Sequence, residues 1–234
     1  MLQTTLKNLI CPDKCMICLA FLEPNHKGYT CVKCETSLLE RDVCDRCGKP
    51  YAPILGECMY CHEVPNNQLR VLALFPYIDL YKESILRWKY TGIRKYAKGY
   101  ADLIVSELIH KEELEIDGFI PVPISYERYK KRGFNQALDL AKQLEAKTHI
   151  PVYDVLERCK ETKPQSACKK EERANNIRGA IHLKTNLPLE GRVSIALVDD
   201  IYTTGSTIYE CIRAMKEAGV QVDKIYVLTV CLAI

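Results

Sequence analysis

Apolar positions from residue 70 onward fall into two alternating periods. Short apolar runs at Arg70–Tyr77, Phe119–Pro123, Val152–Leu156, Val193–Val198 and Lys224–Leu232 predict strands. Between them apolar residues recur every three or four positions. Leu80–Tyr90 places Leu80, Ser84, Ile85 and Trp88 on one helical face. Tyr96–Glu113 carries Leu103, Ile104, Leu108 and Ile109, and Gln136–Thr148 is a third helix. A fourth begins after Thr207, with Ile208, Cys211, Ile212, Met215 and Ala218 at helical spacing. Alternating strands and helices predict an α/β fold, a parallel sheet flanked by crossover helices. Ligands bind such sheets at the carboxyl ends of the strands.

The first 61 residues follow neither period. Few large aliphatic residues occur between Cys15 and Cys61, too few for a segment of this size to fold on its own core. Cysteine pairs stand in their place: Cys15/Cys18, Cys31/Cys34, Cys44/Cys47 and Cys58/Cys61, separated by 12, 9 and 10 residues. Thiolates three positions apart on a tight turn share one tetrahedral zinc, and two such pairs close a structural site. Eight ligands suit two zinc ions. Sequential pairing (Cys15, Cys18, Cys31, Cys34, then Cys44, Cys47, Cys58, Cys61) gives two ribbon-like knuckles, and interleaved pairing satisfies the spacing too. The start of the chain lacks a sustained apolar segment, so no signal peptide and a cytoplasmic location are expected. Thiols stay reduced there, which favours zinc over disulfides. Cys211 and Cys231 fit apolar core positions. Val64–Gln68, with Pro and Asn at turn positions, reads as a linker. The expected organisation is a zinc module over residues 1–66 and an α/β domain over 67–234.

The richest chemistry lies in Ile195–Thr207. An apolar run ends in Asp199 and Asp200, the small residues Thr203, Thr204, Gly205, Ser206 and Thr207 follow, and a helix begins. Amides at a helix N-terminus favour a phosphate, glycine lets backbone approach it, and the hydroxyls add donors. The two carboxylates suit ribose hydroxyls or Mg2+. No Lys follows the glycine, so this is not a Walker A loop. Two further segments bear on the same site. After Pro123 comes a basic stretch, Arg128, Lys130, Lys131, Arg132, read as a loop leading through Gly133 to the third helix. It offers cationic contacts for a pyrophosphate. Thr162–Ala180 is a long polar connection between two strands, as in a loop that closes over a charged substrate.

Composition adds only bounds. A chain of 234 residues suits one small module and one medium domain. Apolar content of 47% with 27% charge is that of a globular protein, and a net charge of +3 does not by itself imply nucleic acid. No apolar run reaches 18 residues, so no membrane insertion is expected.

Ile195–Thr207 resembles, position for position, the phosphoribosyl pyrophosphate (PRPP) signature of type I phosphoribosyltransferases. Four further blocks extend the resemblance over nearly the whole chain: the paired CxxC module, Trp88–Gly92, Pro121–Pro123 with Arg132–Gln136, and Gln165 through Glu172–Arg173 to Asn176–Ala180. Together they identify a resemblance to the ComF family of late-competence proteins. It implies a type I phosphoribosyltransferase-like fold, structural zinc, Mg2+ with PRPP, and a role in DNA uptake during natural transformation. The partners it implies are a competence helicase-like ATPase and DNA-processing proteins, with single-stranded DNA as a further ligand. Asp199 and Asp200 would hold the ribose hydroxyls, Thr203, Thr204, Gly205, Ser206 and Thr207 the 5-phosphate, and Arg132 the pyrophosphate. Arg173 and Arg178 would close over the leaving group, making Asp199, Asp200 and Arg178 the catalytic candidates. Lys89 lies in a family block without an assigned contact. Hypoxanthine-type salvage enzymes carry an Asp where this chain has Thr203, which cannot act as a base at neutral pH. Three readings follow: a phosphoribosyltransferase, a PRPP-binding sensor without turnover, and a single-stranded-DNA-binding accessory.

Overall fold

A computed structural model describes residues 12–35, 44, 46–48, 58, 69–159, 177–189, 191 and 193–233. The linker at Val64–Gln68, Cys61, Arg173 and residues 162–176 of the polar connection lie outside the described residues.

Among the described residues four strands form one parallel sheet. They are β1 (Leu69–Pro76), β2 (Gly118–Pro121), β5 (Val193–Tyr202) and β6 (Val222–Leu232), in the order β1-β6-β5-β2. Every pairing in it is parallel. From Ile225 to Leu232 β6 is buried without interruption, the signature of a central strand covered on both faces. The described α-helices are α1 (Val32–Glu35), α2 (Asp79–Thr91), α3 (Lys95–Ile104), α4 (Tyr126–Arg132), α5 (Gln136–Thr148) and α6 (Ser206–Glu217). α5 buries Ala137, Leu140, Ala141 and Leu144, and α6 buries Ile208, Cys211, Ile212 and Met215, the helical spacing expected of each. The α/β parallel sheet expected from periodicity is therefore present.

Three elements differ from their sequence reading. The expected helix Tyr96–Glu113 is not uniform: α3 passes into a π-helical turn, Val105–His110. The wider turn keeps Ile104, Leu108 and Ile109 all on the buried face. The basic stretch after Pro123 is not a loop but α4, whose Lys130, Lys131 and Arg132 fall in the last turn beside the carbonyl end. α4 buries no residue, so it leaves no apolar period to read. Val152–Leu156 is not a sheet strand. Val152 makes one isolated bridge to Phe119, and Leu156 opens β3 (Leu156–Arg158), which pairs antiparallel with β4 (Ile181–Leu183) in a separate ribbon.

The cysteine-rich segment shares the core of the sheet. Met16 and Ile17, each 1% exposed, pack in one cluster with Trp88, Tyr100 and Phe75. Cys44, Cys47 and Cys58 lie in the cluster on the other side with Val71, and the Val71 amide donates to the Arg46 carbonyl at 3.0 Å. Among the described residues no helix is long and apolar enough to cross a membrane.

Candidate functional site

β5 runs beyond the apolar stretch that announces it. Asp199 pairs with Thr229 and Tyr202 with Leu232, so both acidic residues stand near the end of the strand, at the carboxyl edge of the sheet. The two carboxyl groups hydrogen-bond each other, and their remaining partners differ. Asp200 faces the ammonium of Lys89 on α2, with Nζ 2.7 Å from Oδ2 and both side chains 12% exposed. Burial raises the proton affinity of Asp200, but the Lys89 ammonium and the Arg132 guanidinium outweigh it and hold the carboxyl below its usual range. Among the described residues Asp199 has no such ion pair. Burial and the Asp200 charge push it up to about 8, against the backbone N–H of Asp200, which donates to Asp199 Oδ1 at 2.8 Å.

The loop after β5 closes on Gly205, at φ +77°, which starts α6 with no side-chain cap of its own. A Cβ there would collide with the Tyr202 hydroxyl and stand 2.8 Å from the Tyr209 ring. Glycine is required twice over, by conformation and by space. Thr204 and Ser206 pair their hydroxyls across the turn at 2.8 Å. The first amides of α6 and these hydroxyls form a cradle suited to one phosphate. Arg132 closes α4. It donates to Gln136 Oε1 at 3.0 Å, and its guanidinium lies 5.6 Å from the Tyr90 ring centre, with the Lys131 ammonium 5.5 Å from the same ring. Asn135 fixes the α4–α5 corner: its Oδ1 accepts from the Ala137 amide at 3.0 Å and its Nδ2 donates to the Val122 carbonyl at 3.1 Å.

Asp199, Asp200, Arg132 and the Thr203–Thr207 turn thus share one end of the sheet. Lys89 joins them through its ion pair. Tyr77 joins too: burial and the Asp200 charge raise its phenol above the usual range. Periodicity carries no signal for either, because each owes its place to a tertiary contact across elements. Arg178 is exposed, and among the described residues no hydrogen bond or ion pair joins it to the acidic pair. Its neighbour Ala180 instead anchors on α6, with the amide donating to Glu210 Oε1 at 3.1 Å beside the Arg213–Glu210 ion pair at 2.7 Å.

Among the described residues seven thiols form two groups. The sulfurs of Cys15, Cys18, Cys31 and Cys34 lie within 4.8 Å of one another, as do those of Cys44, Cys47 and Cys58. Tetrahedral zinc with bonds of about 2.3 Å places its sulfurs just under 4 Å apart, and Cys18–Cys31 and Cys47–Cys58 each stand at 3.7 Å. The first group holds both pairs of the sequential scheme. The Cys31 amide approaches Cys15 Sγ at 3.4 Å. Burial opposes ionisation of Cys15, but this amide and those of Cys18 and Ile17 hold its thiol below the usual range. Both groups can therefore hold a metal ion.

No family model matches the chain. It is 30% identical over 210 residues to Competence protein ComFC of Bacillus subtilis (strain 168), covering 86% of this chain and 82% of that protein. Against DNA utilization protein YhgH of Escherichia coli (strain K12) it is 26% identical over 225 residues, covering 94% and 98%. Against Competence protein ComFC of Streptococcus pneumoniae it is 27% identical over 231 residues, covering 95% and 99%. Among solved structures, adenine phosphoribosyltransferase from Thermoanaerobacter pseudethanolicus aligns at 14% identity and a TM-score of 0.37, over 61% of this chain and 83% of that one. UMP synthase of Leishmania donovani aligns at 17% identity and a TM-score of 0.32, over 60% and 23%. With similarity to ComFC and YhgH running through nearly its full length, the chain belongs to the ComF family.

Proposed function

We propose that this protein binds PRPP with Mg2+ at the carboxyl end of β5 and serves DNA uptake, as the names of its relatives imply for them. The observation that carries the reading is the union, at one sheet edge, of a paired carboxylate, a glycine-started helix and a cation cluster around Arg132. In this reading Asp199 and Asp200 accept hydrogen bonds from the ribose hydroxyls, and the turn from Thr203 to Thr207 wraps the 5-phosphate. Arg132 and Lys89 face the pyrophosphate end with positive charge. Mg2+ would neutralise pyrophosphate oxygens when bound. Where an acceptor is present, the cations support the charge that gathers on departing pyrophosphate, the electrostatic form of catalysis. In the same reading zinc is the ion of both cysteine groups in a module over residues 1–66, the protein is cytoplasmic, and its partners are a competence helicase-like ATPase and DNA-processing proteins.

The protonation of Asp199 gives this reading a signature in pH. With its proton affinity pushed up to about 8, Asp199 is mostly protonated at neutral pH. Accepting two hydrogen bonds from ribose requires the ionised form, so binding at pH 7 releases a proton. PRPP affinity should rise between about pH 6 and pH 8 and level off above. Titration calorimetry in two buffers of different ionisation heat should give different apparent enthalpies. Equal enthalpies in both would show that Asp199 does not ionise on binding.

A second reading, single-stranded DNA on α4, is favoured by a specific surface. Tyr126 and Tyr129 are 69% and 52% exposed there, beside the exposed Lys130 and Lys131. Aromatic rings among cations form the usual platform for single strands. Tyr29, the one described tyrosine of the cysteine segment, is instead half-buried against Gly99. Tyr129→Ala should weaken oligonucleotide binding by about 1–3 kcal/mol at every salt concentration. Lys131→Ala should lower the slope of log affinity against log salt by roughly one. Binding that neither variant alters would remove α4 as a DNA surface.

A further inference from the structure

α2 is clamped on two sides. On one, Ser84 Oγ donates to the Met16 carbonyl at 2.8 Å and contacts Tyr100 Oη at 2.6 Å. Arg87 Nη2 donates to the Ile17 carbonyl at 2.5 Å and to the Met16 carbonyl at 3.2 Å, while Nε donates to the Tyr96 hydroxyl at 3.2 Å. Met16 and Ile17 are the two residues between Cys15 and Cys18, so these donors grip the turn of the four-cysteine knuckle. On the other side Lys89, two residues beyond Arg87, reaches Asp200. At about 100° per residue the two side chains leave the helix in nearly opposite directions. Trp88, fully buried between them, sets the depth of the helix.

We propose that Ser84 and Arg87 are positioning residues: they fix α2 to the Cys15–Cys18 turn so that Lys89 is held on Asp200, making the four-cysteine knuckle the base on which the acidic pair is set. The consequence for ligand binding rests on the PRPP reading above, but the positioning itself does not. The knuckle carbonyls are acceptors of fixed place, since the flanking thiols converge within 4.8 Å. Without them the helix keeps Trp88 but loses the contacts that set its rotation. Lys89 then exchanges Asp200 for water, and Asp200 keeps only the charge of Arg132 to offset its burial beside Asp199.

The test is competitive acetylation of lysines in the full-length zinc-loaded protein, read by mass spectrometry. Wild type, Ser84→Ala, Arg87→Ala and Arg87→Lys are compared at confirmed zinc content. Lys147, paired with Asp102 on α3, reports general loosening. Lys89 should acetylate about fivefold faster in Arg87→Ala, the equivalent of about 1 kcal/mol, with a smaller rise in Ser84→Ala. Arg87→Lys, which keeps one donor for the turn, should recover most of the protection, and Lys147 should not change. An unchanged Lys89 rate in both alanine variants, or a rise matched by Lys147, would overturn the proposal. Titration of Mg2+–PRPP into wild type and Arg87→Ala separates the two ideas. Weaker binding by the variant supports the positioning role, and equal binding counts against it. A wild type that binds no PRPP removes the PRPP reading and leaves the acetylation result to decide the positioning role by itself.

Discussion

Asp200→Asn is expected to weaken the proposed PRPP binding by about a hundredfold or more, because it removes charge-assisted hydrogen bonds worth about 1.5–3 kcal/mol each. The same variant loses stability, since Lys89 keeps its charge in a site where both side chains are only 12% exposed. A mostly buried charge deprived of its partner costs about 1–3 kcal/mol even when an amide oxygen remains to accept a hydrogen bond. Asp199→Asn should also abolish binding, yet its effect on stability has the opposite sign. The folded-state proton affinity of Asp199 is raised, to about 8. Between the unfolded value near 4 and that value, the folded state holds the extra proton, and stability falls as pH rises. A neutral Asn removes this cost, so Asp199→Asn gains stability at pH 8 relative to wild type. The gain is about 1.4 kcal/mol for every tenfold by which folding strengthens the hold of Asp199 on its proton. Asp200, held below its usual range, contributes stability that is present above the unfolded value and lost as pH falls through the folded one. Thermal melts of both variants at about pH 8 check the pair of signs. Two adjacent Asp→Asn changes that destabilise alike would contradict the unequal environments described for them.

Loss of the proposed zinc from the first cysteine group should reach the sheet itself. Met16 and Ile17 are inside the core, and Gly99 of α3 is packed so closely that a Cβ there would stand 2.8 Å from Tyr29 Cβ. The chain from 12 to 35 has one helix of four residues, so its geometry depends on the thiols. Structural zinc contributes about 10–16 kcal/mol in finger peptides, comparable to the whole stability of a domain. Chelation, or Cys34→Ser, should therefore lower the melting temperature by about 10 °C or more. Trp88 is the sole tryptophan and fully buried against Tyr100, with ring centres 5.4 Å apart. Its emission should shift to the red in the same transition. Red shift and loss of sheet signal at one chelator concentration would show a shared cooperative unit. A chelated protein that keeps its melting temperature and its blue Trp88 emission would show that the knuckle contributes little to the core.

The sheet was legible where burial is continuous or periodic. Val193–Val198 and Lys224–Leu232 read as strands because both faces of a parallel strand are covered, and α5 and α6 because one face repeats every third or fourth residue. α4 was not legible, because a helix held by its ends and its Gly133 cap leaves no apolar stripe. β3 and β4, of three residues each, are too short to carry a period. In the site, the acidic pair and its turn could be read because strand, loop and helix start are contiguous in sequence. Lys89 and Tyr77 could not, since they meet Asp200 across more than a hundred residues of chain. The grouping of Cys15, Cys18, Cys31 and Cys34 is one of the arrangements that spacing allows, and only the folded backbone brings those four sulfurs together.

Titration calorimetry of PRPP into the zinc-loaded wild type, with and without Mg2+, tests the proposed PRPP site at the end of β5 most directly. The expected result is binding at about micromolar concentration, near −8 kcal/mol, that requires Mg2+ and disappears when Asp199 and Asp200 are both changed to Asn. A folded, zinc-loaded wild type that takes up no heat from PRPP at millimolar concentration would contradict it.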